Sequence, residues 1–220
     1  MPSKPEKQPL QQSKARSKIT VMSKVGNTGN CSRSANDTTR GRKQLHAYEI
    51  ESTCKAIRSG SRYPLRDELA VRMAYHHGLR ASELVGLQWQ HIDLKARQVQ
   101  VNRKKNGISN THPIVSRKEI TLLNKLHREQ GKPKTGYVFN TERGTVLSVK
   151  GLGAMFSAYS EKALGIKWNF HALRHATATD LIDQNIHIHT IQHFMGHRNL
   201  QNTTVYLSEN SSRFRAIDFD

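Results

Sequence analysis

Between His171 and Glu209 the chain reads HALRHATATDLIDQNIHIHTIQHFMGHRNLQNTTVYLSE. His171 and Arg174 stand three apart, a spacing that puts both on one face of a helix. Arg174 offers a planar fork of donors that fits two phosphate oxygens. His171 can take up or give a proton near neutral pH. His197 follows Gly196 just past an apolar segment, where a turn can aim it inward. Tyr206, nine residues further on, supplies a phenol. A phenolate is a workable nucleophile toward phosphorus, and the aryl ester it forms keeps the bond energy for a reverse transfer. The stretch has few of the carboxylates and none of the thiols that complete a metal site. His175, His187, His189 and His193 are therefore read as core or surface residues, and no metal or cofactor is expected. A lone His-x-x-Arg pair is usually surface decoration and a lone helical Tyr is usually packing, so the weight rests on the conjunction.

Lys and Arg total 35 against 17 Asp and Glu, a net charge of +18 over 220 residues. Such a chain is drawn to polyanions, and on charge alone a plain histone-like or ribosomal protein is also open. Cys31 and Cys54 match no metal spacing and are expected to be free thiols of a reducing compartment. No apolar run approaches the ~18 residues of a membrane span, and the N-terminus lacks the apolar core of a signal peptide. A cytoplasmic, nucleoid-associated protein with no membrane contact is the expectation.

The elements that must position these residues begin near residue 45. Residues 1–43 are rich in Ser, Lys, Asn, Thr and Gln and carry ten basic residues against two acidic ones from Lys4 to Lys43. They have too little apolar surface to offset chain entropy and are expected to be disordered. A solubilising tail and a basic arm lying on DNA phosphates are equally open. Residues 44–220 form the folded domain. LHAYEIESTCKAIRSG reads as a helix stopped by Gly60. YPLRDELAVRMAYHHG reads as a second, with Leu69, Ala70, Met73 and Ala74 in an apolar stripe and Gly78 at its end. RASELVGLQW suits a short third helix. QVQVNRKKNGISNTHPIV alternates, breaks at Asn106-Gly107 and resumes, the signal of a hairpin. SRKEITLLNKLHREQG opens with a capping box of Ser116 and Glu119. SVKGLGAMFSAYSEKALG is amphipathic, and three helical segments follow Trp168: 171–184, 187–195 and one carrying Tyr206. The expected fold is mainly α with a small antiparallel β-sheet.

Taken together, HALRH, GH and the Tyr nine residues later resemble the C-terminal signature of the tyrosine recombinase (lambda-integrase-like) family. HHGLRASELVGLQWQHIDL resembles the family's first-arginine box, and NRKKNGISNTHPI its lysine-bearing hairpin. HGLRASELVGLQWQHIDLKA, NGISNTHPI and GHRNLQNTTVYLSENSSRF are closest to the small recombinases that invert fimbrial promoter DNA in phase variation. The resemblance implies the tyrosine recombinase catalytic-domain fold and a site of Arg80, Lys105, His171, Arg174, His197 and Tyr206. Lys104 is the alternate to Lys105, and Glu83 supports the site from behind. It implies that Arg80 and Arg174 hold the scissile phosphate and that Tyr206 forms a 3′-phosphotyrosyl link. Lys105 then protonates the leaving 5′-oxygen, His171 acts as base for the phenol, and His197 donates to the phosphate, with neither metal nor ATP. The implied partners are double-stranded DNA, a homo-tetramer on paired sites with the C-terminal RFRAID segment on a neighbour, and accessory DNA-bending proteins. The outcome is DNA inversion, integration or excision. A type IB topoisomerase, a non-catalytic basic DNA-binding protein and a metal-dependent nuclease are the alternatives.

Overall fold

Apolar residues at helical spacing bury one face of the first helix, α1 (Ala47–Gly60). Ile50, Thr53, Cys54 and Ile57 all point inward. Helix α2 (Pro64–His76) starts with Pro64, whose missing N–H costs nothing in a first turn. Its expected stripe is buried, but so are Asp67, Glu68, Val71 and Arg72. The reason is position: α1, α4 (Arg117–Glu129) and α6 (His171–Asp183) pack against α2. Its charges are paired, Arg72 Nε to Glu68 at 2.8 Å and Arg58 Nη1 to Glu68 at 2.6 Å. A buried ion is tolerated only when partnered in this way.

The structure, a computed structural model, describes residues 45–103 and 108–208. The expected disordered tail, Lys104, Lys105, the Asn106-Gly107 turn and the RFRAID segment lie outside them. A short α3 (Ala81–Val85) and a 3-10 turn (Trp89–His91) lead into β1 (Ile92–Asp93). Strands β2 (Gln98–Val101) and β3 (Asn110–Pro113) pair antiparallel, Val99 opposite His112 and Val101 opposite Asn110. The sheet order is β1-β2-β3. Val99 and Val101 face the core while Gln98 and Gln100 face solvent, the alternation a half-buried strand requires.

The remaining helices are α5 (Val149–Leu164), α7 (Ile188–Met195) and α8 (Gln201–Ser208). The main core joins α1, α2, α4 and α5 around Leu69, Met73, Leu123, Phe139 and Phe156. Each such side chain contributes roughly 1.5–3 kcal/mol on burial. A small second cluster of Ala178, Ile182, Ile191 and Met195 joins α6 to α7. Half of the expected capping box forms: Ser116 Oγ accepts from the Glu119 N–H at 3.3 Å. The Glu119 carboxylate turns instead to two histidines of α2's end, His76 Nδ1 and, at 2.7 Å, His77 Nε2. Burial alone would push Glu119 up; those two histidines outweigh it and hold its pKa at about 2.

Candidate active site

Gly78 lies just past α2 with φ +57°, and a Cβ there would meet Met195 Sδ at 2.7 Å. Left-handed backbone and close packing both demand glycine. This turn aims the Gly78 carbonyl inward, where it accepts from Arg174 Nη1 and, at 3.3 Å, from Arg103 Nη1. Two residues on, Arg80 is the N-cap of α3. Its backbone N–H donates to Glu83 Oε2 at 3.0 Å, and its Nη1 donates to Oε1 at 2.8 Å. The Arg80 side chain keeps 30% exposure against 1% for Glu83, so a guanidinium opens outward from a buried carboxylate.

Arg174 is buried in the middle of α6. Its Nη2 donates to the Met195 carbonyl at 2.7 Å and to His197 Nε2 at 2.7 Å. Helix α7 ends at Gly196 with φ +64°, and that left-handed turn sends His197 back under Arg174. His197 Nδ1 lies 2.9 Å from Thr203 Oγ1 on α8. Because an arginine can only donate, Nε2 must be the acceptor here, and Nδ1 carries the proton toward Thr203. Burial, then Arg174, Arg80 and Arg103, lower the His197 pKa to about 4, which agrees with a neutral ring. Glu83 Oε2 also faces Arg103 Nη1 at 3.0 Å and Arg174 Nη1 at 4.0 Å. Burial would raise the Glu83 pKa, but the Arg80 N–H and the guanidiniums lower it overall.

His171 opens α6 one turn before Arg174, on the solvent side, with its ring edge-on to His175 at 4.6 Å. Partial burial of the ring, then His175 and the nearby Arg174 and Arg80 charges, bring its pKa down to about 4. A neutral imidazole beside two guanidiniums can accept a proton.

The fold thus gathers Arg80, Glu83, Arg174 and His197 into one cluster, with His171 at its edge. Tyr206 falls on α8 one turn after Thr203; its side chain, like Lys105 and Lys104, lies outside the described residues. Two members escaped the sequence reading. Arg103 is fully buried against Glu83, and Thr203 is fully buried against His197. Arg103 had a signal: it continues the inward parity of Val99 and Val101, and a charged residue there requires a partner. Among the described residues no group of three His, Cys, Asp or Glu could hold a metal ion, and no helix is long and apolar enough to cross a membrane.

Residues 43–213 match the model of the phage integrase family. The chain is 33% identical over 179 residues to the type 1 fimbriae regulatory protein FimB of Escherichia coli K12, covering 80% of this chain and 89% of the relative. Its fold superposes on the XerA recombinase with a TM-score of 0.68 at 21% identity, covering 80% of this chain and 66% of that one. On a lambda integrase dimer bound to a COC′ core site the TM-score is 0.61 at 22% identity, covering 80% and 51%.

Proposed function

We propose, from the premise that this chain belongs to the phage integrase family and is a site-specific DNA recombinase of the tyrosine class, that its chemistry runs through the cluster around Glu83. The observation that carries the reading is the convergence of Arg80 and Arg174 on one buried carboxylate, with His197 held against Arg174. Donors fixed in advance where negative charge develops usually supply the largest catalytic term, and losing one costs roughly 10²–10³ in rate. Arg80 and Arg174 take the non-bridging oxygens of the scissile phosphate. Tyr206 Oη attacks phosphorus and passes its proton to His171. The P–O5′ bond breaks, Lys105 protonates the departing oxygen, and the DNA 3′-end remains as a phosphotyrosine. Religation runs the same steps backwards. When a phosphate draws the Arg174 fork away from His197, Nε2 is released to join the site as a donor in its other tautomer.

Phosphate contacts position the chain and base contacts give it a site. Residues 44–220 act as the catalytic domain and residues 1–43 as a basic arm. The reaction we propose is inversion of a DNA segment by a homo-tetramer on two duplexes, aided by DNA-bending proteins, at the nucleoid; the likeness to a fimbriae regulatory protein supports a regulatory outcome. Tyr75, Val115, Leu181 and Phe194 line a hollow of about 350 Å³ that Glu119 and Asp180 also border. Its apolar lining suits the Phe-bearing C-terminal segment of a neighbouring copy.

The test is a covalent trap. The full chain is mixed with supercoiled DNA of its source genome in EDTA and quenched with detergent. Protein-linked DNA ends are expected from the native chain and none from Tyr206→Phe, which still binds DNA. Trapping by the Phe variant would misassign the nucleophile, and cleavage that disappears in EDTA would indicate a metal nuclease. Linked ends spread over all sequences would indicate a topoisomerase.

A further inference from the structure

The last turn of α7 leaves carbonyls with no partner inside the helix, at the negative end of its dipole. Three consecutive ones accept from side chains outside α7. The His193 carbonyl takes Asn110 Nδ2 at 2.6 Å, the Phe194 carbonyl takes Arg103 Nη2 at 2.6 Å, and the Met195 carbonyl takes Arg174 Nη2 at 2.7 Å. Arg103 and Asn110 stand at the two roots of the β2–β3 hairpin. The Arg103 backbone N–H also donates to Ser109 Oγ at 3.1 Å, so the two roots are tied to each other.

The Arg103 guanidinium reaches further. It donates to the His77 and Gly78 carbonyls, each at 3.3 Å, and to Glu83 Oε2 at 3.0 Å. Its side chain has no exposed surface. Gly196 lies directly over it: a Cβ on Gly196 would come within 2.7 Å of Arg103 Cγ and Nε. One buried fork therefore spans the turn before Arg80, the carboxylate behind Arg80, and the helix end before His197.

We propose that Arg103, with Asn110 beside it, is a positioning residue of the strand-cleavage reaction. It fixes the end of α7 to the Gly78 turn and Glu83, so that Arg80, Arg174 and His197 converge on one phosphate. Arg103 does not reach the phosphate. It acts through Glu83 and through the helix end from which His197 hangs. The forked guanidinium matters, because a lysine in its place carries the charge but cannot reach four acceptors on three segments at once.

The proposal rests on the reading of Arg80 and Arg174 as the phosphate clamp, and the test separates the two. Full-length Arg103→Lys, Asn110→Ala, Arg80→Ala and Arg174→Ala are compared with the native chain in single-turnover cleavage. The probe is a nicked suicide duplex carrying the cleavage site recovered from the trapped ends. One version has the ordinary scissile phosphodiester, and the other a methylphosphonate with one non-bridging oxygen replaced by methyl. The neutral version lacks the charge that the clamp stabilises.

Arg103→Lys is expected to lose roughly 10²-fold on the phosphodiester, the low end of what a lost preorganised donor costs. Its loss on the methylphosphonate should be several-fold smaller, with Asn110→Ala following the same pattern more mildly. Equal losses on both duplexes, or none, would overturn the proposal, since a merely structural residue cannot sense the phosphate's charge. If Arg103→Lys fails to fold, the half-buried Asn110→Ala decides by the same comparison. If Arg80→Ala and Arg174→Ala lose equally on both duplexes, the clamp reading itself fails, whatever Arg103 does.

Discussion

Glu83→Gln exchanges one oxygen for an amide and removes the carboxylate that faces three guanidiniums. The side chain is 1% exposed and lies 2.8 Å from Arg80 Nη1, 3.0 Å from Arg103 Nη1 and 4.0 Å from Arg174 Nη1. Removing one partner of a buried ion pair costs about 3–5 kcal/mol, because the other charge is left uncompensated. Arg80 is partly solvated and adds little to that, so the low end, about 3 kcal/mol, is the expected loss. For a domain of this size each kcal/mol moves Tm by roughly 2–4 °C, giving a fall of roughly 6–12 °C. A DNA phosphate brings back the missing negative charge. The Tm rise on adding duplex DNA should therefore be larger for the variant than for the native chain. The gap should also depend on pH in one direction. Glu83 has a lowered pKa in the folded chain, so its contribution is complete above the unfolded carboxylate value of about 4.3 and disappears as pH falls through the folded one. Native and variant curves should converge below that range. Scanning calorimetry between pH 3 and 7.5, with and without duplex, reads all three. A Tm change under about 2 °C, or an equal DNA effect on both chains, would refute the account of Glu83 as counter-charge.

Three further outcomes are expected. In an NMR titration of the free chain, His171 and His197 should remain neutral down to pH 5, with midpoints near 4; a midpoint near 6.5 for either would contradict its placement beside guanidiniums. Thr203→Val removes the acceptor of the His197 Nδ1 proton and should cost about 1–3 kcal/mol in stability for the unsatisfied donor, with slower cleavage and unchanged DNA affinity; weakened binding instead would place Thr203 in DNA contact. Deleting residues 1–43 should weaken DNA binding and flatten the slope of log affinity against log salt, whereas an unchanged slope would make the tail a solubiliser.

The helices were legible because their apolar residues repeat at 3 and 4, as Ile50, Cys54 and Ile57 do in α1. Alternation likewise marked β2 and β3. Burial of Asp67, Glu68 and Arg72 was not legible, since Ser61, which donates to Asp67, and the charged partners Arg58 and Glu51 of Glu68 and Arg72 come from outside α2. Glu119 carried a local capping signal, and the tertiary demand of His76 and His77 overrode it. The two residues of β1 were too short to show a period. In the site, Arg174 and His197 could be picked out because the spacing of catalytic types is itself a pattern, whereas Arg80 was reached only through the resemblance of GLRASEL to the family's first-arginine box. Arg103 was passed over as one cation of a basic loop, although its parity with Val99 and Val101 already required it to point inward.

That inward arginine alters the charge balance of the site. Among the described residues three guanidiniums face one carboxylate, a formal sum of two positive charges. A phosphodiester brings one negative charge and the five-coordinate phosphorane brings two. On the proposed reading an excess of positive charge favours the transition state over the ground state, the condition under which electrostatic binding speeds a reaction instead of only holding its substrate. Without Glu83 three uncompensated cations would be packed together. Arg103 and Glu83 are thus placed to hold the two clamp arginines in register from positions where neither need touch the DNA.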